Sequence, residues 1–362
     1  MSVQVSYKKQ TLLGLLLIII LFSVVEGVAQ VLWYDIQNIS CNVKDVYFEG
    51  TDSELIEKIC FDYHNIEYTT DNIRRNLPNQ DLNTFSTNSF GFRGSEFNIE
   101  TKNNEYRIIM VGGSTTFGMG ATNNDTTIPA FLEKKLNDNL DLDITVINAG
   151  VMAATSREEV FYIKNDLVKF NPDLIIILDG YNDSFNIKLS DVDESEEYRR
   201  YDKDEFKESV KKYVEIIALP NIIYQYTHDY MQIQYLTEDI KNTNTQKWLE
   251  RWNNVCQFSK QNDFELFVML QPMIGTSDRE MHEIEKKVLE KPRTKKALEL
   301  LNSLGDSLDE LQCNSADLRE VFEGVNEQVF FDEVHSGDFG NEIIAEHVFI
   351  EILPLIVNEI EI

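Results

Sequence analysis

The chain has 362 residues, of which 43% are hydrophobic and 26% are charged, so it can bury the core of one large domain or slightly more. Its formal net charge of −29 argues against nucleic-acid binding, which needs Lys and Arg to neutralise phosphates, and against adhesion to an anionic membrane surface. The simplest interpretation is a solvated acidic surface that keeps the protein soluble; adaptation to saline surroundings is the alternative.

An apolar segment near the amino terminus is the first predicted element. Two lysines precede the uncharged run Thr11–Val25, Glu26 interrupts the pattern, and Val28–Tyr34 is again mostly apolar. Together these residues are long enough to span a membrane. We favour an uncleaved anchor, residues 1–34, over a cleaved signal peptide, because apolar and interfacial aromatic residues continue past the point where cleavage would occur. In both cases the lysines stay in the cytoplasm and the rest of the chain is exported.

Residues 35–104 have a mixed composition and form a predicted N-terminal extension. Its last part, residues 88–94, is a turn-rich approach to the first strand of the next domain. We expect Arg93 in this stretch to be an ordinary surface residue; the alternative is a side chain that points into the functional site.

The four cysteines show no C-x-x-C spacing, so neither a zinc ribbon nor a thioredoxin-like site is expected. In an exported domain Cys41 and Cys60 are close enough in sequence to pair. Four cysteines allow three pairings, however, and the sequence does not choose among these two residues, Cys256 and Cys313. Buried free thiols are the alternative interpretation.

A buried strand that ends in two glycines organises the middle of the chain. Ile108–Val111 is a short apolar run, which is typical of a strand buried on both faces of a parallel sheet. Gly112 and Gly113 then allow a tight turn that side chains would block. Ser114 follows at the carboxyl end of the strand, where open α/β sheets place their chemistry.

Three better-known motifs do not fit this turn. A phosphate-binding loop needs Lys after its last glycine, but Met119 follows Gly118. A dinucleotide fingerprint needs a third glycine where the chain has Asn123. A G-x-S-x-G nucleophile elbow needs glycine two residues after the serine, where the chain has Thr116.

Strand and helix patterns alternate after Ser114, which predicts an α/β fold with a parallel sheet and right-handed crossovers. We expect Ser156 to be the N-cap of one helix, with Glu159 completing a capping box. The predicted elements are a helix at 128–140, a strand at 143–148, a helix at 156–170, a strand at 174–178, a helix at 248–261, a strand at 264–270, a helix at 294–311, a short strand at 316–322 and a helix at 342–357.

Residues 188–246 break this alternation. The segment is polar, carries an acidic patch and contains aromatic helical stretches. We interpret it as a helical insertion, with a lid as its candidate role, within a domain that spans residues 105–357.

Four turns carry residues that suit acyl transfer. A serine such as Ser114 becomes a nucleophile when an imidazole such as His335 takes its proton, and a carboxylate such as Asp332 fixes the tautomer of that imidazole. An oxyanion needs hydrogen-bond donors, which the N–H groups of Ser114 and Gly150 and the side-chain amide of Asn182 could supply.

These residues resemble the SGNH, or GDSL-type, hydrolase family over roughly residues 105–350. The blocks of that family are similar to Gly113-Ser114, with Gly113 in place of the usual Asp, to Gly150, to Gly180-Tyr-Asn182-Asp183, and to Asp332-Glu-Val-His335. The resemblance implies a flavodoxin-like three-layer α/β/α sandwich without a metal or organic cofactor. It also implies Ser114, Asp332 and His335 as the catalytic residues, and Ser114, Gly150 and Asn182 as the oxyanion hole.

Each of these residues also has a simpler interpretation. Gly150 could merely end a strand, Asn182 could cap a turn or be the acceptor of its Asn-Asp-Ser sequon, and Asp183 is expected to be a scaffold residue. Four other histidines lack a motif: His64, His228, His282 and His347. A metal site is disfavoured because its ligands would include no second histidine; they would be Asp332, Glu333, His335 and Asp338.

The predicted function is hydrolysis of an O-acyl ester, on a small molecule or a glycan, by an anchored enzyme whose catalytic domain lies outside the cytoplasm. One alternative keeps the site but transfers the acyl group to cell-surface glycans. A second alternative is a non-catalytic envelope binding module on the same fold.

Overall fold

The computed structural model of the protein describes residues 6–39, 53–69, 73–100, 105–185, 217–220, 222–223 and 238–360. These residues belong to two compact units. One unit holds the amino-terminal helix with residues 217–223, and the other holds the remaining described residues.

The smaller unit is built on helix α1, Tyr7–Ile39. Within it, Tyr7–Leu32 has a mean hydropathy of 2.7 and is only 6% buried, so by length and composition it can cross a membrane; a signal sequence passes the same test. The carboxylate of Glu26 accepts hydrogen bonds from the backbone N–H groups of Ala218 (2.5 Å) and Leu219 (3.3 Å).

The larger unit contains a parallel sheet in the order β4-β3-β5-β6-β7. Strands β3, β5 and β6 are rich in apolar residues, and all six residues of β5 are buried, as expected for strands covered on both faces; the edge strand β7 is polar and partly exposed. This order is flavodoxin-like, with its topological switch point between β3 and β5. The strands are β3 Glu105–Gly112, β4 Asp143–Asn148, β5 Leu174–Asp179, β6 Glu265–Leu270 and β7 Asn314–Asp317.

Helices flank both faces of this sheet and complete the three-layer sandwich, so the predicted fold is confirmed. Helix α4 packs against the last helix, α10, and α7 packs against α5 and α9. The helices are α2 Ser53–Asn65, α3 Ser114–Phe117, α4 Ile128–Asn139, α5 Ser156–Tyr162, α6 Tyr181–Phe185, α7 Glu238–Gln261, α8 Glu283–Leu289, α9 Pro292–Gly305 and α10 Asp338–Ile360.

The predicted cap of α5 was one residue too late. Thr155 is the N-cap, and its N–H and hydroxyl donate to Glu158, so the capping box is Thr155–Glu158. Ser156 is buried instead, because it bonds to the turn after β5. The helical path continues to Phe170, but with a π-helical turn and a 3₁₀ turn after Tyr162.

Other boundaries also differ from the prediction. Strand β7 ends at Asp317, because it pairs with β6 only from Asn314 to Asp317. Helix α7 begins at 238, ten residues before the predicted start, so it includes the end of the predicted insertion. Helix α9 ends at Gly305, and α10 begins at Asp338 rather than Glu342. The predicted lid falls mainly on residues outside the described ones.

Disulfide bonds replace the free thiols that were the alternative interpretation. Cys256 on α7 is bonded to Cys313, just before β7, with Cα atoms 5.5 Å apart. Cys60 is also disulfide-bonded; Cys41, which is close enough to it in sequence to pair, lies outside the described residues.

Most of the N-terminal extension belongs to the same compact unit as the five-stranded sheet. Its short strands β1, Tyr68–Thr69, and β2, Arg75–Asn76, pair antiparallel. The expectation that Arg93 is a surface residue was wrong, because only 5% of it is exposed.

Candidate active site

The turn after β3 needs its two glycines because other atoms approach it closely. A Cβ on Gly112 would lie 2.4 Å from the Leu178 carbonyl oxygen, and a Cβ on Gly113 would lie 2.3 Å from Nδ2 of Asn182. Ser114 then begins α3 and is half-buried. The two glycines therefore let the end of β3 approach the end of β5 at the switch point. This agrees with the prediction that Gly112 and Gly113 allow a tight turn that side chains would block.

The loop before α10 brings His335 to Ser114. The Nε2 atom of His335 lies 2.6 Å from Oγ of Ser114, and its Nδ1 atom lies 2.5 Å from Oδ2 of Asp332. The other oxygen of Asp332 accepts hydrogen bonds from the backbone N–H groups of Val334 (2.8 Å) and His335 (2.7 Å). Asp332 is therefore held by the backbone of its own loop, with one oxygen left to bind the imidazole.

An aromatic ring supports the imidazole from the side. The ring of Phe331 stacks on that of His335 at an interplanar angle of 20°, with centroids 6.2 Å apart. Gly120, in the loop after α3, makes room for this ring, because a Cβ there would lie 1.7 Å from the ring of Phe331. The loops that carry Ser114 and His335 thus pack against each other.

The charges of this pair reinforce each other. Burial alone would lower the pKa of His335, but the Asp332 charge, its hydrogen bond and the charge of Glu333 outweigh burial and raise this pKa above 6.5. Burial alone would raise the pKa of Asp332, but the charge and hydrogen bonds of His335 keep this pKa below its usual value. The pair is therefore best stabilised as a carboxylate beside an imidazolium.

Asn182 lies close to the turn that carries Ser114, which we call the serine turn, whereas the N–H of Gly150 already donates a hydrogen bond. One N–H of the Asn182 side chain donates to the carbonyl of Ala154 (2.7 Å), while the N–H of Gly150 donates to Oδ1 of Asn148 (3.1 Å). Gly150 is still needed for close packing, since a Cβ there would lie 2.2 Å from the backbone nitrogen of Phe117. In this structure the Gly150 N–H, a predicted oxyanion donor, is therefore already bonded within its own loop.

Ala153 is a residue of the same loop that sequence reasoning missed. It is exposed and has a φ of 58°, a left-handed conformation that is strained for alanine. Nothing in the local sequence identifies it, because a left-handed conformation is expected at glycine or asparagine and rarely at alanine.

A group of buried acids lies just beyond Asn182. Asp183 accepts hydrogen bonds from the N–H (2.7 Å) and hydroxyl (2.6 Å) of Ser156, and Arg251 on α7 approaches to 3.4 Å. Asp179 accepts from Nε1 of Trp248 (3.0 Å). Burial raises the pKa of Asp179 well above its usual value, and the charge of Asp183 adds to this shift. Asp183 thus has the scaffold role that was expected.

The residues of the predicted metal alternative do not form a metal site. Across the described part of the chain, no group of three or more His, Cys, Asp or Glu side chains could hold a metal ion. Asp338 instead accepts hydrogen bonds from the N–H (2.9 Å) and hydroxyl (2.7 Å) of Thr122. Of the other histidines, His282 begins α8 and His228 lies outside the described residues.

The arrangement as a whole can support nucleophilic chemistry. A hydroxyl touches an imidazole, and the imidazole touches a carboxylate, which are the contacts that activate a serine. The backbone N–H of Ser114 and the side-chain amide of Asn182, which approaches Gly113, lie at the same turn, where they could stabilise a developing negative charge.

Comparison with known proteins agrees with this chemistry. Residues 108–348 match the model of the family described as GDSL-like lipase/acylhydrolase. No curated protein matches the chain.

Similar solved structures are distant in sequence. They include LAE5, an alpha/beta hydrolase enzyme from the metagenome of Lake Arreo, Spain (14% identity, 68% of this chain, 94% of that chain, TM-score 0.41). A putative lipolytic protein of the G-D-S-L family from Desulfitobacterium hafniense is 13% identical, over 68% of this chain and 98% of that one (TM-score 0.39). Axe2, an acetylxylan esterase from Geobacillus stearothermophilus, is 16% identical, over 68% of this chain and 94% of that one (TM-score 0.41). Because the family model covers two-thirds of the chain, this protein belongs to the GDSL-like lipase/acylhydrolase family.

Proposed function

We propose that the protein is a serine-dependent hydrolase of an O-acyl ester, carried by a small molecule or a glycan. The observation that carries this proposal is the continuous chain of contacts from Asp332 through His335 to Oγ of Ser114. Family membership supports the same class, because a carboxylic ester hydrolase needs this set of groups.

In the proposed mechanism, Oγ of Ser114 attacks the ester carbonyl while Nε2 of His335 takes its proton. Asp332 stabilises the resulting imidazolium, whose pKa it already raises. The imidazolium then gives its proton to the leaving alcohol, and an acyl-enzyme remains. Water, deprotonated by His335, attacks this ester and releases the acid, which regenerates Ser114.

We assign the oxyanion donors to Ser114, Asn182 and Ala153. The N–H of Ser114 lies at the start of α3, and the Asn182 amide keeps one N–H beyond the one that it donates to Ala154. Because the Gly150 N–H is engaged by Asn148, the N–H of Ala153, an exposed residue, replaces it in this proposal. The left-handed φ of Ala153 supports the assignment, since backbone strain of this kind clusters at active sites.

We also propose that α1 is a retained anchor and that the catalytic domain lies outside the cytoplasm. The contact of Glu26 with the N–H groups of Ala218 and Leu219 supports retention, because cleavage near this point would remove a partner of that segment. The Cys256–Cys313 disulfide supports export, since such bonds persist in oxidising compartments. Intact-mass measurement of the membrane-extracted protein tests retention; loss of residues 1–29 would contradict it.

The central experiment compares the wild-type protein with Ser114→Ala. We expect the variant to lose turnover of a generic acyl ester by about 10⁴-fold or more, and to lose labelling by a fluorophosphonate probe. Ser184→Ala is a matched control, because its hydroxyl is buried and donates to Gly180 rather than to His335. Wild-type turnover by Ser114→Ala would refute the nucleophile, and an unlabelled wild-type protein would favour a non-catalytic binding module.

The membrane anchor favours a second candidate with the same site. An acyl-enzyme held near a cell surface could be resolved by a sugar hydroxyl instead of water, which would make the protein an O-acyltransferase of surface glycans. Product analysis with and without an added oligosaccharide separates the two: transfer yields an acylated sugar, and hydrolysis yields only free acid.

A further inference from the structure

We infer that the N-terminal extension positions the active site, with Arg93 as the positioning residue for the turn that carries Ser114. This inference rests on the proposed function of Ser114 and goes beyond it. The residues concerned, Arg74, Asn76 and Arg93, lie outside the family match, which begins at residue 108.

Arg93 uses all five of its N–H donors on the backbone and side chains around the serine turn. Arg93 is 5% exposed, and its guanidinium lies over the rings of both Phe85 and Phe117, 5.5 and 5.1 Å from their centroids. The acceptors are Oδ1 of Asn124 (3.1 Å) and the carbonyl oxygens of Phe117 (3.2 Å), Gly118 (2.7 Å), Thr84 (3.0 Å) and Asn123 (3.0 Å).

Two of these acceptors lie at the end of the helix that begins at Ser114. Phe117 is the last residue of α3 and Gly118 follows it. Their carbonyl groups also accept hydrogen bonds from Nδ2 of Asn148 (3.2 Å) and from the N–H of Ala121 (3.0 Å), so Arg93 adds a second donor to each. A cation at this end of a helix is favourable. Burial lowers the pKa of Arg93 to about 9, against the charges of Asp62 and Asp338, so the side chain is still a cation at neutral pH.

The extension also holds the loop on the other side of the site. The side-chain amide of Asn76 donates to the carbonyl of Gly150 (2.9 Å), and Arg74 donates to the carbonyl of Met152 (3.2 Å). These bonds fix the backbone immediately before Ala153, whose N–H we assign to the oxyanion hole.

Apolar contacts connect these two sets of hydrogen bonds, those of Arg93 and those of Arg74 and Asn76. A separate buried cluster contains Ile66 and Phe85 from the extension, Phe117 from α3 and Met152 from the loop after β4. The extension therefore contacts both the turn that carries Ser114 and the loop that carries Ala153 through one continuous surface.

Movement of the serine turn would also reach His335. The loop that leaves α3 binds Asp338, three residues after His335, through Thr122, and its Gly120 packs on the ring of Phe331 that stacks on the imidazole. Since the Ser114–His335 contact is 2.6 Å long, a shift of about 1 Å would break it, and shifts of this size can cost about 100-fold in rate.

The test compares Arg93→Lys with Arg75→Lys. Lysine keeps the charge at residue 93 but has only three donors and no planar fork, so it cannot hold all five acceptors. We expect Arg93→Lys to lower kcat by about 10- to 100-fold with little change in KM, and to slow fluorophosphonate labelling in parallel. Arg75→Lys makes the same change in the same extension, but at an arginine that pairs with Asp166, and should retain wild-type kcat.

Hydrogen exchange gives a readout that does not depend on activity. The N–H groups of Phe117, Gly118 and Met119 bond within the serine turn, and we expect them to exchange faster in Arg93→Lys than in Arg75→Lys. If Arg93→Lys does not fold, Asn76→Ala replaces it, with faster exchange of residues 150–153 and a lower kcat.

The outcomes separate this inference from the proposed function. If Ser114→Ala abolishes labelling while Arg93→Lys and Asn76→Ala keep wild-type kcat and exchange, the extension does not position the site. If Ser114→Ala remains active, the proposed nucleophile is wrong. The exchange measurement alone then supports or overturns the inference that Arg93 positions the turn that carries Ser114.

Discussion

The aspartate of the His335 loop and the aspartates at the turn after β5 have opposite pKa shifts. Burial alone would raise the pKa of Asp332, but the charge and hydrogen bonds of His335 lower it. Burial raises the pKa of both Asp179 and Asp183; the charge of Asp183 adds to the shift of Asp179, while Arg251 and the hydrogen bonds of Ser156 oppose that of Asp183 without cancelling it. The balance between burial and the nearest partner therefore determines which form of an aspartate is favoured: the imidazole outweighs burial at Asp332, and burial outweighs Arg251 at Asp183.

This difference assigns the groups different tasks. A permanently ionised Asp332 can orient His335 and stabilise its cation during turnover. Asp179 and Asp183 instead hold the segment that carries Asn182, because Asp179 accepts a hydrogen bond from Trp248 and Asp183 accepts hydrogen bonds from Ser156. The same residue type thus serves chemistry in one group and architecture in the other.

The largest loss of activity is expected when Asp332 loses its charge. Asp332→Asn keeps the size of the side chain but removes the charge and favours the wrong tautomer of His335, so kcat should fall by about 10⁴-fold without unfolding. Steady-state kinetics with a chromogenic ester and a circular dichroism melt measure both effects. Glu333→Gln is the matched control, because Glu333 influences the pKa of His335 only by its charge; equal losses in the two variants would contradict the special role of Asp332.

Asn182 tests whether the turn after β5 supplies a donor as well as a scaffold. Asn182→Ala should lower kcat by about 100-fold, because one oxyanion donor is lost, with a smaller change in KM. Asn165→Ala removes an exposed asparagine that bonds only within its own helical segment, to the carbonyl of Phe161, and should have wild-type kcat. A wild-type rate for Asn182→Ala would limit its role to the bond with Ala154.

The pH dependence tests the charge pairing at His335. The base must be neutral to accept the serine proton, so kcat/KM should fall about tenfold per pH unit below the pKa of His335. Because Asp332 raises this pKa, the acid limb should lie above pH 6.5, the ordinary value for histidine. A rate profile of kcat/KM against pH measures it, and an acid limb below 6.5 would contradict the pairing.

The smallest effect on catalysis is expected at Asp179. Its pKa is raised in the folded state, so its contribution to stability is full below pH 3.8 and is lost as the pH rises toward the folded pKa. Asp179→Asn mimics the protonated form and should raise the free energy of unfolding at pH 7 by about 1 to 3 kcal/mol. The gain should shrink as the pH approaches 4, and kcat should change less than about twofold.

Urea unfolding at pH 7 and pH 4 measures this gain. Asp317→Asn is a surface control, because Asp317 pairs with Arg319 in solvent and should show no such gain at pH 7. Destabilisation by Asp179→Asn at pH 7 would show that Asp179 is ionised in the folded protein, which would remove the contrast with Asp332.

Local patterns were enough to predict the sheet and the main chemical groups. Residues such as Ile108–Val111 and Leu174–Leu178 are apolar without interruption, and buried strands of a parallel sheet have this property whatever surrounds them. The glycine turn before Ser114 and the Asp-x-x-His spacing are equally local, so they could be read before the fold was known.

Contacts between distant residues could not be predicted in the same way. The sequence correctly marked the loop at Gly150, but the side chain of Asn148 takes its N–H, and the turn of Ala153 depends on how the loop packs. Arg93 was expected at the surface, because nothing near it in sequence indicates the carbonyl groups that it binds 24 and 25 residues away.

The amino-acid sequence by itself determined the parallel α/β sheet, the family blocks and the apolar amino-terminal helix, because hydrophobic periodicity, glycine and catalytic side-chain chemistry are properties of short segments. Only the tertiary structure decided which amide groups are already bonded, which acids are buried together, which cysteines pair and which residues contact the turn that carries Ser114. These depend on burial and on hydrogen-bond partners, and the partners of a buried polar group are chosen by the folded chain as a whole.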